Sequence, residues 1–86
     1  MKIKDEYIVR KIGSKYYAVS AARIAEGGGM IALNETGAFL WELLKEETDM
    51  DSMVQALAEK YEIDAGTARA DVAAYVDMLK EVGALA

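Results

Sequence analysis

The chain of 86 residues contains no cysteine, no histidine and no proline. Without cysteine there is neither a disulfide nor a thiolate metal site, so a small hydrophobic core must hold the fold together by itself. Without histidine the commonest general base, the commonest zinc ligand and the usual switch near neutral pH are all gone. Long apolar runs are also missing: charged or polar residues interrupt every segment well short of the roughly 20 residues that a membrane-spanning helix needs. Basic residues are scarce, 10 against 15 acidic for a formal charge of -5. That balance argues against a phosphate-backbone binder, which needs clustered Lys and Arg. The first residues, Met1-Lys2-Ile3-Lys4-Asp5-Glu6, lead into charge rather than into an apolar stretch, which fits neither a secretory signal nor an anchor and leads us to expect a cytoplasmic protein.

What is present is apolar and ordered along the chain. Hydrophobic types make up 53% of the residues, enough for one modest core, and no repeat, low-complexity stretch or linker divides residues 1–86, which we read as a single domain. Charge is divided unevenly: residues 1–25 hold six basic and two acidic side chains, a balance of +4, whereas residues 26–86 hold four basic and thirteen acidic, a balance of -9. Tyr7 to Ile12 and Lys15 to Val19 are rich in aromatic and β-branched residues and meet at Gly13-Ser14, the signature of a hairpin. After Gly27-Gly28-Gly29, Met30-Ile31-Ala32-Leu33 makes a short uncharged third strand.

Three helices then follow. Asn34 caps the first, which carries Leu40, Trp41, Leu43 and Leu44 and runs to Lys45 or Glu46. Thr48 or Asp49 caps the second, where Met50, Met53, Val54, Leu57, Ala58 and Tyr61 keep the spacing of one helical face. Asp64 caps the third, with Ala68, Val72, Tyr75, Val76, Leu79 and Val82 on its apolar side and Gly83 at its end. Strands first and helices afterwards give an α+β class, a winged-helix-like three-stranded antiparallel sheet followed by three helices.

Leu33-Asn34-Glu35-Thr36-Gly37, Trp41, Leu43-Leu44, Tyr61-Glu62-Ile63-Asp64, Asp71-Val72, Leu79 and Gly83-Ala84-Leu85 occur in an order and spacing that resembles the PqqD-like family. These proteins, also called RiPP recognition elements, are small peptide chaperones. The resemblance implies a non-catalytic, cofactor-free domain that binds the leader of a ribosomally made precursor peptide and presents it to a modifying enzyme such as a radical SAM maturase. Two departures, Glu47 in place of a glycine and a short end at Leu85-Ala86, point to a peptide pathway other than the one for which the family is named.

The resemblance further implies that the leader adds as a strand to the third strand and lies in a cleft against the third helix. The sequence agrees independently, because Gly29, Met30, Ile31, Ala32 and Leu33 include none of the Lys, Pro or inward charges that normally guard an edge. On the helix, Val72 and Val76 lie centrally, Arg69 and Ala73 on one shoulder and Asp71 and Tyr75 on the other. Either shoulder can face the cleft; we take Arg69, Val72, Ala73 and Val76 as candidate wall residues, with Arg69 available to an acidic leader side chain. Trp41, Met50, Met53 and Tyr61 read as core.

Other occupants and functions compete. An open edge also pairs with a second copy of itself, giving a homodimer. Asp51-Ser52-Met53 resembles the attachment site of a carrier protein, with Ser52 bearing a phosphopantetheine arm, although Asp-Ser is also ordinary helix-start chemistry. A winged-helix DNA binder would have to use the acidic third helix, which repels phosphate. No paired carboxylates suggest catalysis.

Overall fold

The computed structural model describes residues 1–24 and 29–86. Alternation decides the sheet. In β1 (Tyr7–Ile12) and β2 (Lys15–Ser20) successive side chains point to opposite faces, so Tyr7 and Val9 turn inward with Tyr16, Ala18 and Ser20, while Ile8, Arg10 and Ile12 turn outward. The two strands pair antiparallel from Tyr7 opposite Ser20 to Ile12 opposite Lys15. Gly13 closes the hairpin at φ +64°, the left-handed value that a tight two-residue turn demands and glycine supplies without strain.

Between β2 and β3 the chain makes one helical turn, α1 (Ala21–Ile24), which the sequence reading left without an element. Four residues are too few to show a helical period, though Ala-Ala-Arg favours the helix locally. Of the glycine run, Gly27 and Gly28 lie outside the described residues. Gly29 has φ +85°, and a Cβ there would sit 2.8 Å from both Arg23 Cβ and the Ser20 carbonyl oxygen, so only glycine fits. β3 (Met30–Leu33) then pairs antiparallel with β2, giving the sheet order β1-β2-β3.

The helical layer follows: α2 (Glu35–Leu44), α3 (Met50–Tyr61) and α4 (Ala65–Glu81). Each begins with a side-chain cap. Asn34 accepts from the Gly37 N–H at 2.7 Å, Asp49 from Ser52 at 2.8 Å and Asp64 from Thr67 at 2.8 Å. Each cap satisfies an amide that the helix leaves free and contributes about 1 kcal/mol. The same bonds hold the Asp49 and Asp64 carboxyls below the usual aspartate range, chiefly through the backbone N–H groups of Ser52 and Thr67. α4 ends where Gly83 turns left-handed at φ +71°.

One face of the sheet meets these helices. Ala18 and Leu33 are buried with Leu40, Trp41 and Leu44 of α2, Met53 and Leu57 of α3, and Val72, Val76 and Leu79 of α4. Each large side chain so buried stabilises the fold by roughly 1.5 to 3 kcal/mol. Trp41 is core, as its position in the helical pattern indicates, and its ring meets Tyr7 edge-on at 5.4 Å between centroids. The two ends of the chain are laced under this layer: the Ile3 N–H donates to the Leu44 carbonyl at 2.8 Å and the Lys4 N–H to the Ala84 carbonyl at 2.9 Å. Among the described residues no helix is long and apolar enough to cross a membrane.

Candidate functional site

Strand β3 lies at one side of the sheet and has β2 on only one flank. Which of its backbone groups remain free follows from a single bond. The Ser20 N–H donates to the Gly29 carbonyl at 2.7 Å, and the register pairs Ala18 with Ile31 and Tyr16 with Leu33. In an antiparallel ladder, directly bonded pairs alternate with unbonded ones. Gly29, Ile31 and Leu33 therefore direct their backbone groups at β2, whereas Met30 and Ala32 direct theirs outward. Among the described residues this edge offers two N–H donors and two carbonyl acceptors, at Met30 and Ala32, and no residue of β3 itself is charged.

The side chains of β3 divide the other way. Leu33 is buried and Ile31 half-buried on the helical face, while Met30 and Ala32 are exposed on the outer face. A strand added at this edge would extend both faces.

Helix α4 forms the opposite bank, and its rotation is fixed at two points. The Tyr75 hydroxyl donates to the Gly37 carbonyl at 2.7 Å, beside the Leu33 end of β3. Its ring lies where Gly37 has no side chain: a Cβ at Gly37 would come within 3.2 Å of the ring and 3.6 Å of Leu33 Cβ. This explains the Asn34-x-x-Gly37 pattern physically, since Asn34 caps the helix and Gly37 leaves room for the tyrosine. Burial raises the Tyr75 hydroxyl above the ordinary tyrosine value, so it stays a neutral donor. At the other end, Arg23 donates to the Val82 carbonyl at 2.6 Å and the Gly83 carbonyl at 3.1 Å. A guanidinium there also complements the negative end of the helix dipole. The same arginine packs where Gly29 must lack a Cβ. Thus α4 runs antiparallel to β3, pinned at Tyr75 and again at Val82.

This rotation sets which shoulder of α4 meets α2. A cleft of about 270 Å³ is lined by Asn34, Thr36, Gly37, Leu40, Asp71, Ala74 and Tyr75, so the Asp71 and Tyr75 side turns toward α2, just beyond the Leu33 end of β3. Arg69 turns toward α3, where its guanidinium meets Asp51 at 2.8 Å in an exposed ion pair worth ~0 to 1 kcal/mol. Ala73, one turn further along the same flank, is half-buried. Of the expected wall residues, Arg69 and Ala73 therefore stand on the far flank. Val72 and Val76 are 0% and 4% exposed and serve as packing beneath the cleft instead of as its surface. Val82, read as part of the apolar helix face, is exposed beside the Arg23 contact. Of the two anchors, Tyr75 stands on one of the two shoulders the sequence left open, and nothing near Arg23 in sequence signals a contact 59 residues away.

Ser52, the carrier-arm candidate, occupies the third position after the Asp49 cap, where its N–H completes the cap. Carrier chemistry finds no further support in this geometry, and the sheet that opens the chain departs from an all-helical bundle. The exposed acidic residues of α4, Asp71, Asp77 and Glu81, likewise present the wrong charge to nucleic acid.

A three-stranded antiparallel sheet with an unguarded edge, backed by three capped helices, defines a winged-helix-like α+β binding domain. Residues 24–85 match the family described as coenzyme PQQ synthesis protein D (PqqD), and the chain belongs to that family. Nothing among curated proteins matches it. Among solved structures it is similar to TbiB1 in complex with the TbiA(beta) leader peptide, with a TM-score of 0.78, 24% identity, and coverage of 99% of this chain and 94% of that one. It is also similar to a lasso peptide synthetase B1 complexed with the leader peptide, with a TM-score of 0.75, 25% identity, and coverage of 96% and 93%.

Proposed function

We propose that this protein is a leader-peptide chaperone. It captures the leader of a ribosomally synthesised precursor as a fourth strand on β3 and presents the peptide to a modifying enzyme without performing chemistry itself. The observation that carries the reading is the β3 edge, where among the described residues the backbone groups of Met30 and Ala32 have no partner and the strand itself carries no charge. Family membership and likeness to two proteins solved with leader peptides support it. Backbone bonds at Met30 and Ala32 set the peptide's register. Selectivity comes from alternate peptide side chains, one set turning inward toward Ile31, Leu33 and Tyr75, the other outward beside Met30 and Ala32. The working site is the cytoplasm, where such precursors are made.

Titration with synthetic leader segments of short peptides encoded beside its gene tests the proposal. Saturable binding is expected, with the amides of Met30 and Ala32 becoming protected from solvent exchange while those of Ile31 and Leu33, already bonded to β2, change little. Uniform shifts across β3 and α3, or no binding by any neighbouring peptide, would count against strand addition.

A further inference from the structure

Among the described residues, α2, α3 and α4 pack on the inner face of the sheet, and Ile8, Arg10, Ile12, Met30 and Ala32 on its outer face stay exposed. The register aligns Ile8, Val19 and Met30 in one row across all three strands. Ile8 is 56% and Met30 62% exposed, and they are among the few large apolar side chains left in solvent. A second row, Arg10, Tyr17 and Ala32, runs beside the first, and Ile12 and Lys15 close the hairpin end. No residue of the three strands is acidic, and Arg10 and Lys15 sit at the margin of the apolar rows.

We propose that this face docks the protein that receives the peptide, through a surface on that protein that is apolar at its centre and rimmed by carboxylates. The inference rests on the chaperone reading above and adds to it a second surface. Two features select the occupant. First, a peptide bonded to Met30 and Ala32 extends the sheet, so its outward side chains continue the rows that begin at Ile8 and Arg10. Whatever covers this face also meets the outward side of the bound peptide, so a protein docked here engages chaperone and peptide together. Second, charge disfavours another copy of this chain. Two such faces brought together would oppose Arg10 and Lys15 to their own equivalents. The acidic helical side of a second copy has suitable charge, but the large apolar side chains exposed among the described residues are Ile8, Ile12, Ile24, Met30 and Val82, and none lies on α2 or α3. That side presents only partly buried apolar side chains, such as Phe39 and Leu43, to meet the rows.

The experiment uses the full chain, a fluorescent leader peptide that it binds, and the purified modifying enzyme encoded beside its gene. Arg10→Glu and Ile8→Glu change the outer face on β1, the strand farthest from the peptide edge, and both positions are exposed enough for the fold to persist. We expect each variant to bind the leader within twofold of the parent and to lose at least about tenfold in affinity for the enzyme. The parent's affinity for the enzyme should also weaken as salt rises. Enzyme binding within twofold of the parent by a folded Arg10→Glu variant would overturn the proposal while leaving leader binding intact. A parent chain that sediments as a dimer, with Ile8→Glu or Arg10→Glu making it monomeric, would overturn it in favour of a second copy. Failure of the parent to bind any leader would instead sink the chaperone reading itself.

Discussion

The sheet has two edges, and they are not equivalent. On β1 the alternation leaves the backbone groups of Val9 and Lys11 facing outward, while the Tyr7 N–H there is bonded to the Lys4 carbonyl, and Lys11 carries a charge that lies over the Tyr16 ring at 5.6 Å. Arg10 stands next to it. On β3 the free positions are Met30 and Ala32, and no charge is present in the strand. Both edges offer the same hydrogen bonds, so the difference lies in what an incoming strand must displace or desolvate. A charged ammonium beside an edge must be dehydrated or paired when another chain arrives; a methionine and an alanine need not be. One domain can in this way hold one edge shut and the other open.

Proline substitution separates the two roles of β3 most sharply. Ile31→Pro removes an N–H that bonds β2 and disturbs a half-buried side chain, together about 3 to 5 kcal/mol, a large share of the stability of a domain this size. Circular dichroism of that variant is expected to show a largely unfolded chain at room temperature. Ala32→Pro removes an N–H that faces solvent, so the fold should survive with a melting midpoint close to the parent's while leader affinity falls at least about tenfold, ~1.4 kcal/mol. Ser52→Ala serves as the reference with unchanged leader binding. Equal leader affinity in folded Ala32→Pro and Ser52→Ala would remove the β3 edge from the site.

Next in size is Tyr75→Phe, which deletes the bond to the Gly37 carbonyl and should cost about 1 kcal/mol in denaturant titration. Because it releases one of the two points that set the rotation of α4, leader affinity should fall with it, whereas Arg69→Ala on the other flank should leave affinity alone. The reverse ranking would show that the α3 side of the helix meets the peptide. Lys11→Val tests the guarded edge directly: light scattering should find more self-association than in the parent, through β1. No change would mean that charge is not what keeps that edge apart.

The smallest effect concerns acid. Asp49 and Asp64 are held below the usual aspartate range by their caps, so the folded state binds protons less readily than the unfolded one. Their stabilisation is complete above the ordinary aspartate value of about 3.9 and is lost as pH falls through the lower folded value. Melting midpoints should therefore decline below about pH 4, less steeply in Asp64→Asn. Since no titratable side chain sits in β3, leader binding should show no matching change between pH 5 and 8.

Local chemistry made much of this legible beforehand. Met30–Leu33 stands out because an uncharged run lies between a glycine and an asparagine, and the three helix starts are legible because Asn34, Asp49 and Asp64 act within one turn of themselves. The single turn at Ala21–Ile24 is too short to leave a periodic trace. Which flank of α4 meets α2 was not legible, because helix rotation depends on distant partners: Gly37 receives Tyr75 from 38 residues away, and Asp51 draws Arg69 to the other side. A helical wheel ranks positions by burial, and burial alone took Val72 and Val76 for wall when they are foundation.

The strand that opens the site is four residues long, and its three steps of about 3.4 Å give a platform of roughly 10 Å from Met30 to Leu33. Tyr75 to Val82 on α4 covers about 10 Å at 1.5 Å per residue, nearly the same length. On the chaperone proposal, the domain would read a word of only about four letters from a peptide of any size. Everything before and after that word stays free to move, and a precursor can be handed on without first being released.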